Sequence, residues 1–131
     1  MKIIVVGSIG YGGFQELKEM IHFLREEGLD VIDQFAKEGL DYSEVDDFRE
    51  KRGFSQEIVN FDLKMIEKAD TVVLILNGPS FGAAFEVAKA RELNKRIILF
   101  APEKVPTPWP IAFSDEIVVT KNDLIKMLKD E

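Results

Sequence analysis

The chain has 131 residues, 46% of them hydrophobic, with a formal charge of -7 and no cysteine. That length and apolar content suit one domain with a real core, and the missing cysteine removes disulfides, thiolate metal sites and a cysteine nucleophile together. The negative charge repels polyphosphate backbones and argues against nucleic-acid binding, while the lack of a long apolar run or a secretory start points away from membranes and toward the cytoplasm.

Ile3-Ile4-Val5-Val6 is a β-branched run stopped by Gly7, as in a strand buried on both faces. Residues 14–28 carry Leu17, Ile21 and Leu24 at helical spacing and end in a glycine. A second strand is expected over 29–32, and the charged stretch 36–53 reads as a mobile loop or a short helix. Ser55 and Glu57 then begin a helix with Ile58, Phe61, Met65 and Ile66 as its apolar positions. Thr71-Val72-Val73-Leu74-Ile75-Leu76 is the most strand-like run and the expected central strand. Asn77-Gly78-Pro79-Ser80 is turn chemistry, followed by a small-residue helix over 82–93 and a strand over 96–100. Pro102, Pro106, Pro108 and Pro110 predict an extended, irregular connection, before a short strand over 116–120 and a closing helix over 121–128.

Alternation of strands and helices implies right-handed crossovers and a parallel sheet covered on both faces. The expected architecture is a single α/β domain, a flavodoxin-like three-layer sandwich whose five-stranded parallel sheet has the order 2-1-3-4-5. Ligands of such sheets bind outside the carboxyl ends of the strands where the winding reverses, here the loops after the first and third strands.

The first loop, Gly7-Ser8-Ile9-Gly10-Tyr11-Gly12-Gly13, lets backbone approach a ligand closely and precedes a helix with unpaired N–H groups, so a sugar hydroxyl or a phosphate could bind there. It could equally be a flexible turn without a ligand, and it fits neither the dinucleotide fingerprint nor the P-loop. The second loop supplies Ser80 and Gly82, with Glu86 one turn further on. Glu86 is either a complement to the helix dipole or, beside the small stripe Ala83, Val87 and Ala90, a carboxylate aimed at the pocket. Asp62 interrupts the apolar stripe between Ile58 and Ile66. It either bonds a backbone N–H at the margin of the core or joins Glu86 as a second carboxylate with a separated pKa. Asp70 reads as a turn or cap residue and His22 as solvent-facing; Tyr11 and Trp109 are the aromatic residues that could cover a planar base.

These loops and the helix between them resemble the nucleoside 2-deoxyribosyltransferase family, in particular its branch of 2′-deoxynucleoside 5′-monophosphate N-glycosidases. Gly7-Ser8-Ile9 after a strand resembles the family's opening Gly-Ser/Pro-Ile motif, and Asp62-Leu63 before Ile66, Ala69-Asp70 and an apolar strand resembles its Asp-Leu segment. Pro79-Ser80-Phe81-Gly82, then Phe85-Glu86-Val87 and Ala90, is similar to the Pro-Ser-Leu-Gly, Tyr-Glu-Leu-Gly and Ala pattern of the monophosphate branch. The resemblance runs from the first strand to about Phe100. It implies that Glu86 is the nucleophile at the anomeric carbon, that Asp62 assists the leaving base or binds the sugar, and that Ser8 and Ser80 hold the sugar or its 5′ end. Gly7, Ile9, Gly10, Tyr11 and Gly82 complete the expected substrate-binding set. No cofactor or metal is expected, the partner is a small nucleoside or nucleotide, and a homodimer is implied, with Ser114 a candidate for completing the partner's site.

Two departures stand out. Gly10 stands where the monophosphate branch commonly has arginine, and Val87-Ala88 replaces its usual Leu-Gly or Ile-Gly. The rival reading is a non-catalytic nucleotide-binding or sensor protein on the same fold. A flavodoxin-type carrier is disfavoured because no Thr/Ser-rich phosphate loop follows the first strand.

Overall fold

A computed structural model describes residues 1–9, 13–36, 42 and 44–130. The strands are β1 (Lys2–Val6), β2 (Asp30–Val31), β3 (Thr71–Ile75), β4 (Arg96–Phe100) and β5 (Glu116–Val118). They alternate with the helices α1 (Phe14–Glu26), α2 (Arg52–Lys68), α3 (Phe81–Glu92), α4 (Trp109–Phe113) and α5 (Lys121–Lys129). The sheet is parallel throughout and ordered β2-β1-β3-β4-β5, as expected from the alternation of elements.

The β-branched runs form the middle of the sheet because both of their faces are covered. Successive side chains of a strand point to opposite faces. Ile3 and Val5 of β1, Val73 and Ile75 of β3, and Ile98 and Phe100 of β4 therefore pack with Leu17, Ile21 and Leu24 of α1 and with Leu124 and Leu128 of α5. Their neighbours Ile4, Val6, Val72, Leu74, Ile97 and Leu99 pack on the other face with Ile66 of α2 and Ala83, Val87 and Ala90 of α3. The small residues of α3 bring that helix close over β3 and β4. Winding reverses at β1 and β3, so the β1–α1 and β3–α3 loops open side by side at the carboxyl edge.

Several boundaries differ from the sequence reading. Strand β2 is only Asp30–Val31. Helix α2 starts at Arg52, three residues before Ser55, after an N-cap Lys51 that makes no side-chain capping bond. The proline-rich connection is not wholly irregular: Pro108 is the N-cap of α4 and Pro110 lies in its first turn, where the absent N–H costs no helical bond. The described part of the 36–53 stretch is Ala36, Tyr42 and residues 44–51, with turns and irregular backbone, followed by 52–53 at the start of α2, and the other residues of that expectation, 37–41 and 43, lie outside the described ones.

Asp70 acts as a local fastener rather than a reactive group. Its carboxylate accepts from the Lys2 backbone N–H at 2.7 Å, and its own N–H donates to the Lys2 carbonyl at 2.8 Å, joining the starts of β1 and β3. His22 faces solvent beside Glu26, 3.4 Å away.

Candidate active site

The two loops are held together by Asn77, two residues after the end of β3. Its side-chain oxygen accepts from the Ser8 N–H at 2.7 Å, and its Nδ2 donates to the carbonyls of Ser8 and Gly13 at 3.1 and 3.0 Å. This clamp explains two glycines by space rather than flexibility. A Cβ on Gly13 would fall 2.1 Å from the Ser8 carbonyl oxygen and 2.4 Å from Asn77 Nδ2. One on Gly7 would lie 2.9 Å from Leu17 Cδ2, 3.0 Å from the Ile75 carbonyl oxygen and 3.1 Å from Asn77 Oδ1. Sequence reasoning took Asn77 for turn chemistry and missed the clamp, because its partners lie 69 and 64 positions away.

Between the loops lies a cavity of about 630 Å³ whose wall includes Gly7, Ser8, Ile9, Ser80, Gly82 and Glu86. Six of the expected site residues thus share one space. Gly10 and Tyr11 lie outside the described residues. Ser8 is buried, at 2% exposure, and Ser80 is the N-cap of α3, its hydroxyl oxygen accepting from the Ala83 N–H at 2.9 Å. Glu86 projects from the second turn of α3 past Gly82, where an added Cβ would stand 3.9 Å from Glu86 Oε1 and 3.8 Å from Ser80 Oγ. Gly82 therefore leaves the approach to the carboxyl open.

Burial of Glu86, reinforced by the charge of Asp62, pushes its carboxyl up to about 8. Burial likewise raises Asp62 to about 6. Asp62 is half-buried on the stripe of α2 predicted from its spacing, and among the described residues no backbone N–H hydrogen-bonds it. It is close enough to influence Glu86 electrostatically, yet it is not part of the cavity wall. The arrangement is a pair of electrostatically coupled carboxyls, both raised toward neutral pH, one of them facing a space large enough for a sugar ring.

Sequence reasoning also missed Tyr42 and Phe48, which close the cavity from the connection between β2 and α2. Their rings meet edge to face at 5.9 Å, and Phe48 is stacked 6.4 Å from Phe54 of α2. Trp109, an expected cover for a base, lies elsewhere. It stacks on Phe113 at 6.3 Å and lines an apolar cleft of about 500 Å³ with Phe81 and Phe85, whose lining does not include Glu86. Ser114 ends α4 with its hydroxyl donating to the Ile111 carbonyl at 3.2 Å, outside both spaces. Among the described residues no group of three or more acidic or histidine side chains could hold a metal ion, and no helix is long and apolar enough to cross a membrane.

Residues 13–128 match the family model of nucleoside 2-deoxyribosyltransferase. The chain belongs to this family. Solved structures agree on the fold. A 2-deoxyribosyltransferase from Bacillus psychrosaccharolyticus superposes with a TM-score of 0.74 at 17% identity, over 95% of this chain and 90% of that one. A conserved protein from Enterococcus faecalis V583 gives 0.73 at 15% identity, over 99% and 98% of the two chains. The CMP N-glycosidase BcmB of Clostridium botulinum gives 0.57 at 19% identity, over the full length of both. A comparison with curated proteins finds no match. The family match covers both loops' flanking helices and the whole of α2 and α3, the elements that carry Asp62 and Glu86.

Proposed function

We propose that this member of the family cleaves the N-glycosidic bond of a nucleoside or its 5′-monophosphate by double displacement through Glu86. The observation that carries the reading is a carboxyl on a helix, at the carboxyl edge of the sheet, in the wall of a cavity it shares with two serines. In the first half-reaction a Glu86 oxygen attacks the anomeric carbon, forming a glycosyl ester as the bond to the base nitrogen breaks and the base leaves with a proton. In the second, water or another base attacks the same carbon, releases the Glu86 carboxylate and gives a free sugar or a new nucleoside.

The Ser8 and Ser80 hydroxyls, with the backbone of Gly7 and Ile9, hold the sugar or its 5′ end, and Gly82 leaves room for the ring beside the nucleophile. Gly10 and Tyr11 complete this set in the loop between Ile9 and Gly13. Asp62 donates the proton with which the base leaves and recovers one from the attacking water or acceptor base in the second half-reaction, a role for its protonated form, which a carboxyl raised to about 6 partly retains near neutral pH. Asp62 does not line the cavity wall, so this transfer passes through a bridging water. Because Glu86 must lose its proton, held up to about 8, while Asp62 must keep one that it gives up near 6, kcat/KM should pass through a maximum between about pH 6 and 8.

The apolar cleft supports a homodimer. Phe81, Phe85 and Trp109 are 88%, 69% and 70% exposed, a cluster that a second copy of the chain would cover. The cleft shares Pro79, Ser80 and Phe81 with the wall of the Glu86 cavity, so the second copy would border the site.

The test is incubation with ribo- and deoxyribonucleosides and their 5′-monophosphates, with and without a free acceptor base, following base release by chromatography. Release without acceptor establishes a hydrolase and release only with acceptor a transferase. No turnover across the panel, with ligand binding intact, would favour the sensor reading instead.

A further inference from the structure

The ladder between β1 and β3 ends with Val6 opposite Leu74, and beyond it the chains leave the sheet for the two loops that border the cavity. Ser8 and Asn77 stand just past that point, and the Asn77 amide takes over where backbone pairing stops. A primary amide offers a carbonyl and an N–H group, as a peptide unit does. Here its oxygen accepts from the Ser8 N–H at 2.7 Å, while Nδ2 donates to the Ser8 carbonyl at 3.1 Å and to the Gly13 carbonyl at 3.0 Å. Asn77 is not among the residues lining the cavity; Ser8 lines it from the first loop, and Ser80, Gly82 and Glu86 line it from the second loop and α3. We propose that Asn77 is a positioning residue that sets the width of the crevice, holding Ser8 at the distance from Glu86 at which both engage one sugar.

The amide group, rather than the bulk of the side chain, is the working part. One N–H and two carbonyls surround it, a set that a carboxamide satisfies in one orientation and that neither a carboxylate nor an apolar side chain can satisfy. Glycines leave it room at both ends: a Cβ on Gly13 would stand 2.4 Å from Nδ2, and one on Gly7 would stand 3.1 Å from Oδ1. Further along the chain, Ser80 caps α3 by accepting from the Ala83 N–H at 2.9 Å. The clamp and the cap therefore bracket the short path from the first loop to the helix that carries Glu86. Ser8 is buried, at 2% exposure, with its N–H and carbonyl both engaged by Asn77, so it meets a ligand through its side chain. Any change in the clamp moves that side chain with the backbone. At a preorganised site a shift of about 1 Å costs up to about a hundredfold.

This inference rests on the proposed role of Ser8 in holding the sugar, and a double-mutant cycle separates it from a merely structural clamp. Ser8→Ala removes the hydroxyl and leaves both backbone partners of Asn77 in place, so the effects of Ser8→Ala and Asn77→Ala on the urea midpoint should add. Their effects on ligand affinity should not. The probes are the ribo- and deoxyribonucleosides of the panel and their 5′-monophosphates. Titration calorimetry in the Glu86→Gln background gives their dissociation constants without turnover. Asn77→Ala should weaken the tightest-binding probe about tenfold or more, and in the Ser8→Ala background the same change should weaken it at least about threefold less. In proteins that retain Glu86, kcat/KM for base release should show the same coupling. Should Asn77→Ala fold poorly, Asn77→Asp replaces it, keeping the size and the acceptor for the Ser8 N–H while turning an oxygen toward the Ser8 and Gly13 carbonyls. Independent effects on affinity, or wild-type affinity in the Asn77 variant, would overturn this inference and leave the proposed reaction standing. Absence of binding by every probe would overturn both.

Discussion

Replacing Glu86 by glutamine removes a carboxyl that folding drives toward its neutral form. In the unfolded chain this group ionises near 4.5, and in the folded protein near 8. Between those values the folded state binds the additional proton, so its stability falls as pH rises through that window and the loss is complete above about 8. At roughly 1.4 kcal/mol for each tenfold change in proton affinity, the ceiling is about 5 kcal/mol above pH 8 and about 3 kcal/mol at pH 7. Glu86 is only half-buried and part of its cost is repulsion that Asp62 can relieve by accepting the proton, which brings the expected gain to about 1–2 kcal/mol. Glu86→Gln should thus match wild type within about 0.5 kcal/mol near pH 5 and exceed it by about 1–2 kcal/mol near pH 8. Urea unfolding followed by far-ultraviolet circular dichroism at both pH values measures this directly. A stability difference independent of pH, or a variant less stable near pH 8, would refute the argument that burial and Asp62 raise this carboxyl.

Gly13→Ala forces a methyl group into the Ser8 carbonyl and the Asn77 amide and should cost about 2–3 kcal/mol, read as a lower urea midpoint together with lost activity. Gly82→Ala is the contrasting case: its Cβ meets only ordinary contacts, so the urea midpoint should stay within about 1 kcal/mol of wild type while base release drops as the approach to Glu86 narrows. Phe85→Glu places a charge in the exposed apolar cluster of α3 and α4. Light scattering should find it monomeric where wild type is dimeric, and a monomeric wild type would remove the dimer from the account.

The parallel sheet and its order were legible because uninterrupted β-branched runs alternate with helical periodicity, leaving few arrangements open. The positions of Ser80 and Glu86 were legible for a similar local reason, since their spacing puts one at the N-cap and the other in the second turn of α3. What the sequence concealed depends on distant partners. The clamp by Asn77 joins segments 64 and 69 positions apart, and Tyr42 and Phe48 reach the cavity wall from a connection without periodicity. Asp62 was correctly placed on the buried stripe of α2, but its absence from the cavity wall follows from how α2 is seated beside α3. Helix α4 was missed because prolines in a connection look irregular until their positions at a helix start are known.

The most direct test of the account is acid quenching of wild type during turnover of a deoxynucleoside without acceptor, followed by intact-mass and peptide analysis. The account predicts a mass increase equal to one glycosyl group, located on the peptide containing Glu86 and absent from Glu86→Gln. Base release by Glu86→Gln at the wild-type rate, or an adduct on any other residue, would contradict it.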